Sequence, residues 1–292
     1  MAEYKLFAGC VIPNRLPFLE LAARKVFEKL GVQTSDAPFS CCPDPVGFQS
    51  TDKESWLALG ARNLCLAEEE GKDIVSLCNG CTQTLKAVQH ELKKASPLEK
   101  EKIDDILSKV NKKYNGNITV KHFVQVLIED VGVDKIKNMV KKPINLKIAC
   151  HTGCHYARPP EIMNWDDPDN PVYLRQLVEA VGATPVDYEE ETLCCGTGAG
   201  NANEEYGLAV LKKKLDSAIG AGADCICVVC PACFTQFDTK QRVLSKSADK
   251  DYKIPVLYLT ELLALAMGIT PDELNLKFHT VKTKELMSKI GL

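Results

Sequence analysis

Two pairs of adjacent cysteines, Cys41-Cys42 in SCCPDP and Cys194-Cys195 in TLCCGTGAG, are where this chain is best equipped for chemistry. Neighbouring cysteines bond to each other with difficulty, because the eight-membered ring strains both the peptide and the dihedral angle a disulfide prefers. The pairs are not isolated. Ten of the fourteen cysteines fall into two matching sets: Cys10, Cys41-Cys42 and Cys78-x-x-Cys81, then Cys154, Cys194-Cys195 and Cys230-x-x-Cys233. Gaps of 30 and 35 residues in the first become 39 and 34 in the second, and a glycine, Gly9 or Gly153, precedes each lone cysteine. Two copies of one unit account for this pattern.

Four thiolates suit a structural zinc site, of which a CxxC is a common half. Each set offers five, one more than tetrahedral zinc uses. Iron–sulfur clusters also take thiolates, normally four to a cubane. A five-thiolate set with two adjacent members suggests an unusual cluster, in which a sulfur bridges irons or one iron takes two thiolates. Glycines beside the pairs allow positive φ and close approach of backbone N–H groups to cluster sulfurs.

The elements that hold these residues repeat as well. A short apolar run leads into each lone cysteine (YKLFAGC and NLKIACHTGC), and a helical stretch follows, LPFLELAARKVFEKLG and PVYLRQLVEAVG. Gly31 and Gly182 end those helices as C-terminal caps. Each double cysteine sits in a loop before a helix, about 51–70 and 204–220, and DIVSLC and DCICVVC read as buried strands that end at a CxxC with a helix opening after it. Strands alternating with helices imply an α/β fold with parallel sheets, whose loops gather at the carboxyl ends of the strands. The expectation is two pseudo-symmetric halves, 1–95 and 144–292, whose cysteine loops converge on a central cleft. A mainly helical connector, 96–143, would join them, with NITVKHF as a candidate strand. The tail IPVLYLTELLALAMGI reads as strand then helix.

With 292 residues, 45% of them hydrophobic, the chain can bury a substantial core. A net charge of −3 and a pI near 6.0 leave no electrostatic footprint for nucleic acid. The lysine runs 212–214 and 141–142 are expected on solvated helix faces. MAEYKLFAGC lacks the basic head and apolar stretch of a signal peptide. The longest apolar segment, 255–269, contains Glu261 and is too short to span a bilayer. A soluble cytoplasmic protein is expected, where disulfides are rare outside hyperthermophiles.

On these motifs the chain resembles the double CCG-domain family, most closely the B-type subunits of methanogen-type heterodisulfide reductases. The second half carries the signature fully, with Cys194-Cys195-Gly196, CPACF at 230–234 and HTGCHYARP at 151–159. The first departs, with Pro43 in place of the name-giving glycine and Asn79 in place of the proline of CPAC, but keeps all five cysteines. The resemblance implies a catalytic subunit with two non-cubane 4Fe-4S clusters. One would sit on Cys10, Cys41, Cys42, Cys78 and Cys81, the other on Cys154, Cys194, Cys195, Cys230 and Cys233. The clusters flank a cleft where the disulfide of coenzyme M and coenzyme B, CoM-S-S-CoB, is reduced to two thiols, one electron from each. It also implies partners: a small ferredoxin-like iron–sulfur subunit of the C type, a flavin-containing bifurcating subunit of the A type, and a hydrogenase or formate dehydrogenase further upstream.

Substrate with a sulfonate at one end and a phosphate and carboxylate at the other calls for cations. Arg158 and His155, just after Cys154, and Arg15, just after Cys10, are the candidates. His151 also flanks the lone cysteine and is a candidate for a functional role. Cys150 is nearby and its role is open. Cys65, Cys225 and Cys227 fit core packing, and His90, His122 and His279 fall on polar or amphipathic stretches read as helical, where ordinary roles are expected. Two other classes stay open. One is a CCG-domain subunit of a different reductase (thiol:fumarate, succinate:quinone or sulfur-oxidising). The other is a non-catalytic electron-transfer or zinc module.

Overall fold

The computed structural model describes residues 3–44, 47–247 and 250–292. Eight strands form two four-stranded, fully parallel sheets. The first contains β1 (Glu3–Phe7), β2 (Gln33–Ser35), β3 (Asp73–Ser76) and β4 (Val120–His122); the second contains β5 (Lys147–His151), β6 (Thr184–Val186), β7 (Cys225–Val228) and β8 (Val256–Tyr258). Their orders, β2-β1-β3-β4 and β6-β5-β7-β8, are the same arrangement executed twice. The α/β class and the doubled architecture are therefore as expected.

Central strands of a parallel sheet are covered by helices on both faces and read as continuous apolar runs. β7, Cys-Ile-Cys-Val, is buried at every position, and so are the last four residues of β1. The two helices read from sequence after the lone cysteines form as Pro17–Leu30 and Tyr173–Ala180. Gly31 closes the first in the left-handed conformation, at φ 70°. Those after the double cysteines span Lys53–Glu68 and Glu204–Gly220, capped by Asp52, which accepts from Ser55 N at 3.0 Å, and by Asn203, which accepts from Tyr206 N at 3.0 Å. Within 96–143 the chain is helical at Pro97–Ser108 and from Phe123 to Asn138 with one break, and NITVKHF supplies β4, which closes the edge of the first sheet on β3.

The halves share one hydrophobic core rather than touching edge to edge. The helix Leu259–Ala266 that follows β8, buried along its whole length, packs against Pro17–Leu30. Burying each of its leucines contributes roughly 1.5–3 kcal/mol. Phe18 from the first half meets Phe234 edge-on at 5.9 Å. At this seam His279 and Glu261, both fully buried, pair at 2.9 Å. His279 follows a short 3-10 turn, and His122 ends β4 fully buried, so neither lies on an amphipathic helix as the sequence suggested. Polar flanking residues hid both positions. Lys141 and Lys142 also lie outside any helix.

Candidate metal centre

In each sheet the chain leaves one central strand to the left and the other to the right. Crevices form at the carboxyl ends of the strands at such a reversal. In the first sheet it lies between β1 and β3, which deliver Cys10 and Cys78; in the second it lies between β5 and β7, which deliver Cys154 and Cys230. The helix at each CxxC opens inside the motif, not after it: Asn79–Lys94 starts directly behind Cys78, and Pro231–Ser247 directly behind Cys230. Cys78 is thus the extended N-cap and Cys81 sits in the first turn, so both sulfurs face the same side.

All fourteen cysteines are free thiols, and ten of them form a continuous track of sulfur contacts. Cys10 reaches Cys41, Cys41 reaches Cys42, Cys42 reaches Cys81 and Cys81 reaches Cys78. Cys78 then reaches Cys230 across the seam. From there the order reverses through Cys233, Cys195 and Cys194 to Cys154. The pseudo-twofold passes between Cys78 and Cys230. Tyr258, from the end of β8, fixes that point by donating its hydroxyl to the carbonyls of both Leu77 and Val229, the residues before the two cysteines. Asn79 adds a second tie, donating to Thr152 O at 2.5 Å.

The glycine before each lone cysteine has a geometric cause. Gly9 and Gly153 adopt φ 74° and 85°, and a Cβ would lie 2.8 Å from Cys81 Sγ at the first and 3.3 Å from Cys233 Sγ at the second. Any other residue would push its side chain into the sulfur track. In the second half the backbone also serves the sulfurs. Gly196 N donates to Cys194 Sγ at 3.4 Å, and Thr197 Oγ1 lies 3.2 Å from Cys195 Sγ.

Crowding splits the thiols by acidity. Hydrogen bonds from Cys41 and Cys81 hold Cys42 down to about 4, and those from Cys154 and Cys195 hold Cys194 down to about 2. Cys78 is lowered too, by Cys230 and Cys81. The neighbours that donate to these three, Cys41, Cys81, Cys154, Cys195 and Cys230, are pushed up, and so is Cys233. Hydrogen bonding among the crowded thiols thus favours ionisation of one or more of them in each half, and the thiolate is the form that binds metals. A donor set of ten thiols, an absence of Cβ where they crowd, and an N–H and a hydroxyl set against the sulfurs of the second half fit thiolate-bound metal.

His151, at the end of β5, is fully buried with neither ring nitrogen hydrogen-bonded, and a ring nitrogen lies within 4.8 Å of both Cys195 Sγ and Cys233 Sγ. His155 is half-buried with an unpartnered Nδ1. Arg158 meets Asp169 at 3.4 Å, at a small indentation shared with Cys154 and Gly153, and Arg15 is exposed. Cys150 and its neighbours Cys225 and Cys227 are buried away from the track, as is Cys65. Lys214 departs from expectation: it is 1% exposed, and its ammonium donates to the carbonyls of Glu190, Glu191 and Leu193, just before the double cysteine. Helical phase turns the third lysine of the run inward while Lys212 and Lys213 stay outside with Asp216 and Glu190.

The cysteine-rich CCG domain family matches residues 4–86 and again 148–238. The chain is 40% identical to the B-type subunit of the ferredoxin/F(420)H(2)-dependent CoB-CoM heterodisulfide reductase of Methanosarcina acetivorans, over 99% of this chain and 97% of that one. This chain belongs to the double CCG-domain family of heterodisulfide reductase B-type subunits. The family reaches further: the chain is 30% identical to the 8-methylmenaquinol:fumarate reductase membrane anchor subunit of Wolinella succinogenes, over 97% of this chain and 99% of that one. Both relatives are oxidoreductase subunits by name. Among solved structures, a hypothetical protein from Helicobacter pylori shares this fold with a TM-score of 0.76 at 18% identity, across 96% of this chain and 52% of that one. Among the described residues of this CCG protein, no helix is long and apolar enough to cross a membrane.

Proposed function

We propose that this chain is the catalytic subunit of a cytoplasmic heterodisulfide reductase that reduces CoM-S-S-CoB to coenzyme M and coenzyme B. The continuous ten-thiol track carries this reading. It divides into five cysteines on either side of the Cys78–Cys230 contact. Cys10, Cys41, Cys42, Cys78 and Cys81 would hold one non-cubane 4Fe-4S cluster, and Cys154, Cys194, Cys195, Cys230 and Cys233 the other. Such clusters supply single electrons when bound, and two of them match the two electrons that opening an S–S bond to two thiols requires.

The chain's own residues do the rest. Gly9 and Gly153 leave room at the sulfurs, and Tyr258 keeps the two sites at a fixed separation. The outer cysteines Cys10 and Cys41 are exposed, which leaves the site open to a substrate from solvent. Arg158 and His155 on one side and Arg15 on the other would bind the anionic ends of the disulfide. The surface pair between Arg158 and Asp169 is worth about 0–1 kcal/mol, so an oxyanion ligand displaces it readily. A ferredoxin-like iron–sulfur subunit, a flavin subunit and an upstream hydrogenase or formate dehydrogenase would feed electrons in.

The fumarate-reductase relative favours a second reading, an electron-transferring CCG protein without disulfide chemistry. One assay separates the two. Anaerobic protein supplied with a reduced viologen should release two thiols per CoM-S-S-CoB consumed. A full iron content with no thiol release would leave only the electron-transfer role.

A further inference from the structure

Although the two sites share a backbone, their immediate surroundings differ in polarity: four paired positions favour the second half, while Asn79 against Pro231 and Ser76 against Val228 run the other way. β1 and β5 occupy the same place in their sheets, with Phe7 opposite Ser76 and His151 opposite Val228, so His151 stands where the first half has Phe7. Counting from the double cysteines, Gly196 replaces Pro43 and Thr197 replaces Asp44. Counting from Lys53 and Glu204, where the following helices start, Lys214 stands where the first half has Asn63.

Those four exchanges act in the same direction. Phe7 packs on Phe39 at 4.9 Å and offers no polar atom, whereas His151 sets a buried, unpartnered ring nitrogen beside Cys195 and Cys233. Pro43 has no N–H, whereas Gly196 donates one to Cys194. Asp44 adds a carboxylate that opposes ionisation of Cys42, whereas Thr197 puts a hydroxyl against Cys195. Asn63 and Lys214 do the same mechanical work. Asn63 accepts from Ser40 N at 2.9 Å and donates to Cys41 O at 3.1 Å, while Lys214 ties the carbonyls before Cys194. Only the lysine brings a charge with it, and its three direct contacts are to neutral carbonyls.

We infer that His151 and Lys214 are positioning residues that make the second site the better electron acceptor, so that the first electron entering the protein rests on the second half. This rests on the iron–sulfur reading above. Taking up an electron adds negative charge, and N–H donors to the sulfurs together with a nearby buried cation stabilise that state and raise the potential. Solvent works the other way, because water stabilises added charge and Cys10 and Cys41 are the more exposed outer cysteines. The inner three of each set are alike, however: Cys42, Cys78 and Cys81 are 7%, 9% and 3% exposed, and Cys195, Cys230 and Cys233 are 4%, 6% and 4%. Fixed donors at these dry sulfurs outweigh solvent at the rim.

The test is a reductive titration of the anaerobic holoprotein with dithionite, followed by electron paramagnetic resonance, after iron and sulfide have been counted. The wild type should reduce in two resolved steps. His151→Phe and Lys214→Asn, which give the second half the first half's residues, should each weaken the upper step about tenfold. That is about 59 mV for a one-electron couple, of the size expected for one hydrogen bond to a charged group. The lower step should stay in place. His151→Gln keeps an N–H and should recover part of the shift, which a purely structural role would not predict. Should Lys214→Asn lose iron, Pro43→Gly and Asp44→Thr probe the same idea from the other half and should raise the lower step. Full iron content with a single unresolved step, or variants with full iron and unmoved potentials, would overturn the inference while leaving the clusters intact. A preparation without iron and sulfide would instead defeat the iron–sulfur reading, and the inference with it.

Discussion

Cys154 and Cys194 are half-buried, whereas their counterparts Cys10 and Cys41 lie exposed. The segment after each lone cysteine also differs between the halves. In the first half only the short Val11–Arg15 helix separates Cys10 from the next long helix. The second half inserts the Pro160–Met163 turn and the segment up to Val172, which explains its longer gap. Asp166 staples that insertion, accepting from Tyr156 Oη and from the backbone N–H groups of Asp167, Val172 and Tyr173 at 2.9–3.1 Å. Trp165 packs tilted against Tyr156 at 4.3 Å and donates to its carbonyl. The repeat is thus kept where sulfurs must be placed and diverges where walls and charges are added. Arg158 and His155 lie at the entrance to that added wall.

Substitutions probe that contrast at several strengths. The largest effect is expected at the shared part. Cys42→Ser or Cys195→Ser should each remove about half of the bound iron and abolish disulfide cleavage, as metal analysis and turnover would show. If Cys42→Ser kept full iron and activity, the five-thiolate sites would be wrong. Next comes Gly153→Ala, which forces an L-residue into positive φ and sets its Cβ 2.7 Å from Asn79 Nδ2. Strain of this kind costs about 1–3 kcal/mol and overpacking a similar amount. The variant should melt earlier and lose iron from the second set first, while Gly9→Ala should spare the second set and damage the first.

At the diverged wall the effects are smaller and confined to substrate. Arg158→Ala should keep both clusters and lower kcat/KM about ten- to hundredfold, mostly through KM, since a hydrogen bond to a charged group is worth about 1.5–3 kcal/mol. Arg158→Lys should restore only part of this, because an ammonium lacks the fork. Unchanged kinetics with normal iron would remove Arg158 from the pocket. The smallest effect is expected off the track. Cys227→Ala should cost about 1 kcal/mol of stability in thermal unfolding, a typical packing loss, and leave the iron content unchanged.

Much of this was legible in the sequence because the information is local. The two five-cysteine sets, the glycines before Cys10 and Cys154, the helix stops at Gly31 and Gly182 and the strands before each CxxC are all short-range patterns. The three-residue edge strands β2 and β6 carry too few residues for an alternation to register. Lys214 was hidden for a different reason: a run of three lysines reads as a solvated face, and only the tertiary position of the 190–193 loop supplies the carbonyls that let one of them be buried. The contact between Cys78 and Cys230 joins residues far apart in the chain, so no spacing rule reports it; Tyr258, which fixes it, reads as an ordinary strand aromatic. His122 was missed in the same way. Burial against Tyr156 and Trp165 pushes its pKa down to about 3, in surroundings its charged sequence neighbours do not suggest.

One continuous track of ten cysteines, read as two metal sites placed back to back, makes a definite demand on composition. Iron, zinc and acid-labile sulfide counted in anaerobically prepared protein would meet it or not. Two four-iron clusters predict iron and sulfide at roughly eight each per chain, with both lost together on exposure to air. Stoichiometric zinc without sulfide, or iron at only about four, would contradict two iron–sulfur sites.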